Sequence, residues 1–498
     1  MKITISSFVS RLAIVMLLFL CPPLIWADEV DKVITDRMRE NNIAGLSLAI
    51  IQDGKIEARG YGFTDDRHQM SVTPATLFQA GSISKSVAAF GALRLVQEGQ
   101  LSLDEDVNTK LRSWKVPENE FTQDKKVTLQ GILSHSAGMT VHGFAGYARN
   151  EPIPTLVEVL NGTRPANSSP IRVNVIPGSL WRYSGGGYVV MQQMIMDVTN
   201  EPFPKFMSDT VLGPLGMTNS TYEQPLPPTM SSAAAAGYYA NGSEVPGRWH
   251  VYPEMAPAGL WTTPSDLARF AIGVQQAYAG VSNPVLSRET VRQMLTAPNP
   301  SLSQTDGLGV FVRGSGKTFR FWHDGRNAGF DALMIEFPNI RKGAVIMINA
   351  NDNKGTLDDI VGAIAKEYDW SGPAAGFGIK TNAAAVKAAA AAAQKWLKEI
   401  DNSQYAQSWL DASASFQSKV VEQEWEADLT RDRKPLGSLE SRNLESAQYA
   451  TQLPDAPGGQ YVLMKFDTSF ANKKSAIETV TFMLEKDGQW RSIGYFIK

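Results

Sequence analysis

The feature that most constrains this chain is a compositional break between residues 371 and 394. Ser371-Gly372-Pro373, then Gly376 and Gly378, favour turns, and Ala383 to Ala393 is nearly all alanine. Glycine and proline at that density resist packing into a regular element, so the chain divides into two units, 28–370 and 395–498. A length of 498 residues is too great for one ordinary domain and comfortable for two. Alanine has the highest helix propensity, and the run leads into Trp396, Leu397 and Ile400. It reads as a solvated connecting helix.

Before the break, Ala44 to Gln52 is an apolar strand pattern, followed by Asp53-Gly54 and then Lys55 to Phe63. An Asp-Gly pair between two β-rich runs signals a hairpin. Ser84 to Glu98 reads as a helix, with Gly99 placed to end it. Short β-runs return at Gly309–Val312, Phe319–Trp322, Ala332–Phe337 and Ala344–Ile348, and Thr356 to Tyr368 closes as a helix. Strands at both ends with helices between them predict an α/β (α+β) fold: one antiparallel sheet, its first and last strands neighbours, with a helical domain inserted. After the break, helical segments containing Trp396, Tyr405, Trp409 and Trp425 precede strands. The last two, Glu478–Glu485 and Trp490–Ile497, flank Asp487-Gly488. This pattern predicts a small α+β cone.

Residues 1–27 do not belong to the fold. Lys2 and Arg11 supply a positive start, Leu12 to Leu20 is an unbroken apolar run, and Ala27 offers a small residue for cleavage. This reads as a secretory signal peptide, too short in its apolar run for a permanent span. The expected location is therefore secreted or periplasmic. The single cysteine, Cys21, falls in that segment, which excludes a disulfide, a thiolate nucleophile and a cysteine metal site in the mature chain. The formal net charge is −3, and nothing favours nucleic acid. His68, His135, His142, His250 and His323 lack metal-ligand spacing. No metal and no cofactor is expected.

Three short elements carry chemistry. The first is Ser82-Ile83-Ser84-Lys85, preceded by Gly81. At a helix start, residues three apart share a face, so Lys85 reaches the Ser82 oxygen. Burial lowers a lysine's pKa and lets it accept the serine's proton. The same spacing also fits an N-capping serine with a surface lysine, but the apolar face that follows (Val87, Leu93, Leu95, Val96) argues for a buried helix start. The second element is Tyr183-Ser184-Gly185 in a turn-rich loop, where a phenol can relay a proton; Tyr188 is a nearby competitor. The third is His323-Asp324-Gly325, at the end of the Phe319–Trp322 run. Its glycine would let an edge strand approach a ligand. The backbone N–H of Arg326 would then pair with that of Ser82 as an oxyanion hole.

In this order, S-x-x-K, Y-x-G and H-x-G, the chain resembles the active-site serine β-lactamase and penicillin-binding-protein family over about 28–370, closest to its class C β-lactamase, D-peptidase and esterase branch. L-S-H-S-A-G-M (133–139), P-G-S-L-W-R-Y-S-G-G-G-Y (177–188), P-L-G-M (214–217) and A-G-L-W-T-T-P-S-D-L-A (258–268) match that branch in style. The resemblance implies a transpeptidase-type fold, with Ser82 as nucleophile, Lys85 as base, Tyr183 as proton relay, and His323 and Gly325 on the substrate strand. The tail resembles an uncharacterised exported module of cystatin-like or nuclear-transport-factor-like shape; its ligand is open. Two departures stand out. Gly185 replaces the family's usual Asn, and His323 replaces its usual Lys. The first removes an amide donor and the second a permanent cation, leaving Arg326 as the candidate to replace the charge. An ester or D-amino-acid amide hydrolase is therefore expected. A β-lactamase or D-alanyl-D-alanine carboxypeptidase is the alternative enzyme, and a non-catalytic recognition protein the alternative of another class. The partners expected are small ester, peptide or β-lactam substrates.

Overall fold

The computed structural model describes residues 29–65, 67, 70–352, 354–370, 383–450 and 459–497. The expected leader, 1–27, and the glycine-rich stretch at 371–382 lie outside the described residues. Strands β1 (Gly45–Gln52) and β2 (Lys55–Gly62) form the first hairpin, closed by Gln52 opposite Lys55. Asp53 and Gly54 both have positive φ, 51° and 79°, as a two-residue turn matched to strand twist requires.

The remaining strands of this sheet come from the far end of the unit: β3 (Phe311–Arg313), β4 (Arg320–Asn327), β5 (Phe330–Phe337) and β6 (Lys342–Ile348). The six-stranded order is β2-β1-β6-β5-β4-β3, with β1 antiparallel to β6 from Leu46 opposite Ile348 to Gln52 opposite Lys342. First and last strands are neighbours, as their apolar patterns predict. One face packs on helices α1 (Glu29–Asn41) and α6 (Thr356–Glu367) through Val30, Ile34, Ile360 and Ile364. The other packs on the helical part, including α2 (Ser84–Gln97), α3 (Gly185–Thr199), the short α4 (Met255–Ala258) and α5 (Pro264–Ala279).

Two expected strand limits are corrected. Gly309 has φ +85° and its N–H bonds Leu133 O, so the strand expected from Gly309 begins only at Phe311. The run expected to stop at Trp322 continues to Asn327, because β5 pairs with it throughout. His323-Asp324-Gly325 thus lies inside β4. The partner on the other edge, β3, pairs only with Arg320 to Trp322. From His323 onward that edge is open to another part of the chain.

The tail has its own core. Helix α7 (Ala383–Asp401) packs against a four-stranded sheet in the order β7-β8-β9-β10, formed by Leu439–Ala450, Tyr461–Phe470, Lys473–Leu484 and Trp490–Ile497. Ala389, Ala393, Trp396 and Leu397 are buried with Val462, Phe466, Val480 and Phe482. The alanine run is therefore not a solvated connector. Its small side chains let the helix lie close on the sheet, and burying them adds to the apolar surface withdrawn from water. Among the described residues no helix is long and apolar enough to cross a membrane.

Candidate active site

Ser82 sits on a single 3-10 turn, Gly81–Ile83, immediately before α2. Gly81 has φ +51°, and a side chain there would come within 2.5 Å of Arg326 N. A side chain at Gly325 would come within 1.9 Å of Ala80 O and 3.1 Å of Ser82 N. Two glycines thus let the serine turn press its backbone against the open edge of β4, bringing the amides of Ser82 and Arg326 to one place. Ser84 fastens the turn: its hydroxyl donates to Gly81 O at 2.6 Å and accepts from Leu260 N at 3.0 Å.

The first turn of α2 carries Lys85, only 2% exposed. Its Nζ donates to Ser82 Oγ and to Pro257 O, each at 2.9 Å. Burial lowers the Lys85 pKa to about 7, against a smaller opposing pull from Asp324. The amine also lies 5.0 Å from the Tyr183 ring centre.

Burial pushes the Tyr183 phenol above the ordinary range, against a smaller opposing pull from the neighbouring Ser82 hydroxyl. Tyr188 is a different group: its hydroxyl is buried and donates to Leu133 O at 3.1 Å. The Tyr183 ring packs against two imidazoles, with His135 at 4.2 Å and His142 at 4.8 Å between ring centres. Burial holds both histidines below their usual pKa, so both are neutral at pH 7. His135 Nδ1 accepts from Ser184 N at 3.2 Å, which fixes its ring beneath the tyrosine.

His142 is held by an unusual loop. Val141 has φ +65°, a costly conformation for a β-branched residue. Its carbonyl accepts from Gly186 N and that of His142 from Gly185 N, both at 3.0 Å. A side chain at Gly185 would come within 3.0 Å of both His142 O and the Phe144 ring. The loop fills the space into which a residue at 185 would project.

His323 is 2% exposed, with Nδ1 2.6 Å from Asp324 O. A carbonyl only accepts, so Nδ1 carries the proton. Burial lowers the His323 pKa to about 4, leaving a neutral imidazole. Arg326 does not supply the missing cation. Its Nε and one terminal nitrogen grip the Asp331 carboxylate at 2.8 and 2.6 Å, and it also donates to Asp352 O at 2.6 Å. The pairing follows from the register, which sets Arg326 opposite Asp331.

The structure thus brings Lys85 into contact with Ser82 and sets Tyr183 beside them, with His323, Gly325 and the Arg326 backbone alongside, while the Arg326 side chain turns to another partner. Sequence reasoning gave no role to His135, His142 or Pro257. His135 stands inside the quoted L-S-H-S-A-G-M stretch, which was its one available signal.

Comparison with known proteins agrees with this architecture. Residues 30–369 match the family described as Beta-lactamase, and residues 392–495 match a protein of unknown function, DUF4019. Protein flp of Staphylococcus aureus (strain N315) is 24% identical over 331 residues, 65% of this chain and 63% of that protein. The chain thus spans under two thirds of that relative's length. Among solved structures, the β-lactamase/D-alanine carboxypeptidase of Pseudomonas syringae aligns with TM-score 0.54 at 20% identity, covering 68% of this chain and 98% of that one. The octameric penicillin-binding protein homologue of Pyrococcus abyssi aligns with the same TM-score at 19% identity, covering 94% and 99%. These likenesses show the fold. With the family match spanning most of its length, this chain belongs to the β-lactamase family and has its serine-hydrolase fold.

Proposed function

We propose that this protein is an exported serine hydrolase that forms an acyl-enzyme on Ser82 and cleaves carboxylic esters or D-amino-acid amides. The observation that carries the reading is the contact of a buried lysine, with its pKa brought to about 7, with Ser82 Oγ at 2.9 Å. A serine hydroxyl becomes a useful nucleophile when a neighbouring base takes its proton. Ser82 Oγ attacks the substrate carbonyl while its proton passes to the Lys85 amine. The N–H groups of Ser82 and Arg326 receive the oxyanion. Tyr183, beside Lys85, relays a proton to the departing oxygen or nitrogen. Water then attacks the acyl ester, the carboxylic acid leaves, and Ser82 recovers its proton.

Ester and amide substrates are preferred to β-lactams because the usual recognition groups are missing. Gly185 has no side chain, His323 is neutral, and the Arg326 guanidinium is bound to Asp331. Export rests on the leader pattern of residues 1–27. The test is to incubate the mature protein with a fluorophosphonate probe and with labelled penicillin. Labelling at Ser82 by the fluorophosphonate, lost in Ser82→Ala, supports the hydrolase. Faster labelling by penicillin would favour a β-lactamase or carboxypeptidase. No labelling by either would favour a recognition protein.

A further inference from the structure

The catalytic surroundings carry an exposed carboxylate that the proton-transfer steps do not use. Asp324 stands between His323 and Gly325 on β4, at the strand edge against which the Ser82 turn packs. It is exposed, whereas the residues on either side of it are buried. The cation two residues along the strand is committed, since Arg326 grips Asp331 through two nitrogens. The Asp324 carboxylate acts electrostatically on Lys85, His142, Tyr183 and His323, so its field reaches the whole reaction centre. The three histidines around Tyr183 are neutral at pH 7 and do not offset it, and the exposed Lys465 of the tail acts on His142 but not on Lys85, Tyr183 or His323.

We propose that Asp324 is a specificity-determining residue that makes the site select acyl donors carrying a cation near the scissile carbonyl and reject those carrying a carboxylate. The inference rests on the hydrolase reading given above and narrows its substrate class. A fixed charge at a partly desolvated site favours an opposite substrate charge and disfavours a like one. Free D-amino-acid amides and esters, with their α-ammonium, fit this preference. A peptide ending in a carboxylate, or a penicillin with its ring carboxylate, does not.

The test uses three butyryl thioesters that share one acyl group and differ in the charge of the thiol: butyrylthiocholine, S-butyryl-2-mercaptoethanol and S-butyrylthioglycolate. The rate of Ser82 acylation and kcat/KM are read for each from the released thiol. The expected order is cation, then neutral, then anion, with the two ends differing by about tenfold or more at low salt. Added salt should compress the ratio. Asp324→Asn should bring the three values together, and Asp324→Lys should invert the order. Equal rates in the wild-type protein, or a ratio unchanged in Asp324→Asn, would overturn the inference and leave the hydrolase reading standing. If none of the three acylates Ser82, the hydrolase reading falls and this inference with it.

Discussion

Lys85 Nζ donates to the carbonyl oxygen of Pro257 at 2.9 Å, the same distance as to Ser82 Oγ. Two acceptors from different parts of the fold hold one amine. Ser82 is three residues away in sequence, whereas Pro257 is 172 residues away on α4. The carbonyl fixes where the amine stands, and burial sets its pKa.

That pKa predicts a pH profile. A lysine brought down to about 7 is protonated below that value and a base above it. kcat/KM for a neutral ester should therefore rise with pH through about 7 and level off above it. Lys85→Arg should lower kcat by about 100-fold or more, because arginine keeps its proton. A pH–rate profile of both proteins checks this. A flat wild-type profile between pH 6 and 8 would remove Lys85 as the base.

Gly325→Ala should damage both stability and activity. Its methyl group would stand 1.9 Å from Ala80 O, a backbone atom with little room to move. The edge strand must shift, costing about 1–3 kcal/mol, and the Arg326 amide moves with it. A misplaced oxyanion donor lowers kcat by about 100-fold. Thermal melting and steady-state kinetics together read the two effects. An active variant of ordinary Tm would show that the contact is looser than the structure has it.

The loop over Tyr183 predicts that the missing Asn cannot simply be restored. Gly185→Asn would set its Cβ 3.0 Å from both His142 O and the Phe144 ring, so the loop must give way to admit it. Ester turnover should fall, with no gain in cephalosporin hydrolysis. His142→Ala should lower kcat more than it raises KM, since it removes one of the two rings that hold the phenol. His142→Phe, which keeps a ring there, should recover most of the loss. A gain of β-lactam turnover in Gly185→Asn would overturn this account.

In the tail, Arg442 joins Asp401 and the fully buried Glu478, with donor–acceptor distances of 2.7 and 2.5 Å for its closest contacts. Arg442→Met should cost about 3 kcal/mol, because it strands a buried carboxylate. Lys474→Met, at an exposed pair with Glu440, should leave the melt nearly unchanged. Trp396 and Trp425, stacked in the tail core, offer a fluorescence signal for the melt. Equal effects of the two substitutions would contradict the buried network.

The sequence by itself determined the local features. Asp53-Gly54 and Asp487-Gly488 announce hairpins because Asp and Gly suit tight turns, and Asp53, Gly54 and Gly488 take the positive φ such turns use. Ser82 and Lys85 meet because their spacing matches a helical turn, and the apolar β-runs at 44–52 and 344–348 pair because each needs a covered edge. What depended on distant neighbours was left to the tertiary structure. No spacing places Pro257 O beside Lys85, or His135 and His142 against Tyr183. The register of β4 against β5 gives Arg326 to Asp331 rather than to a substrate. The alanine helix is buried because a sheet formed some sixty to a hundred residues later covers it. Local geometry is written in periods of two and of about three and a half residues. Which carbonyl, ring or carboxylate meets a side chain is set by where distant strands end and how closely their backbones approach.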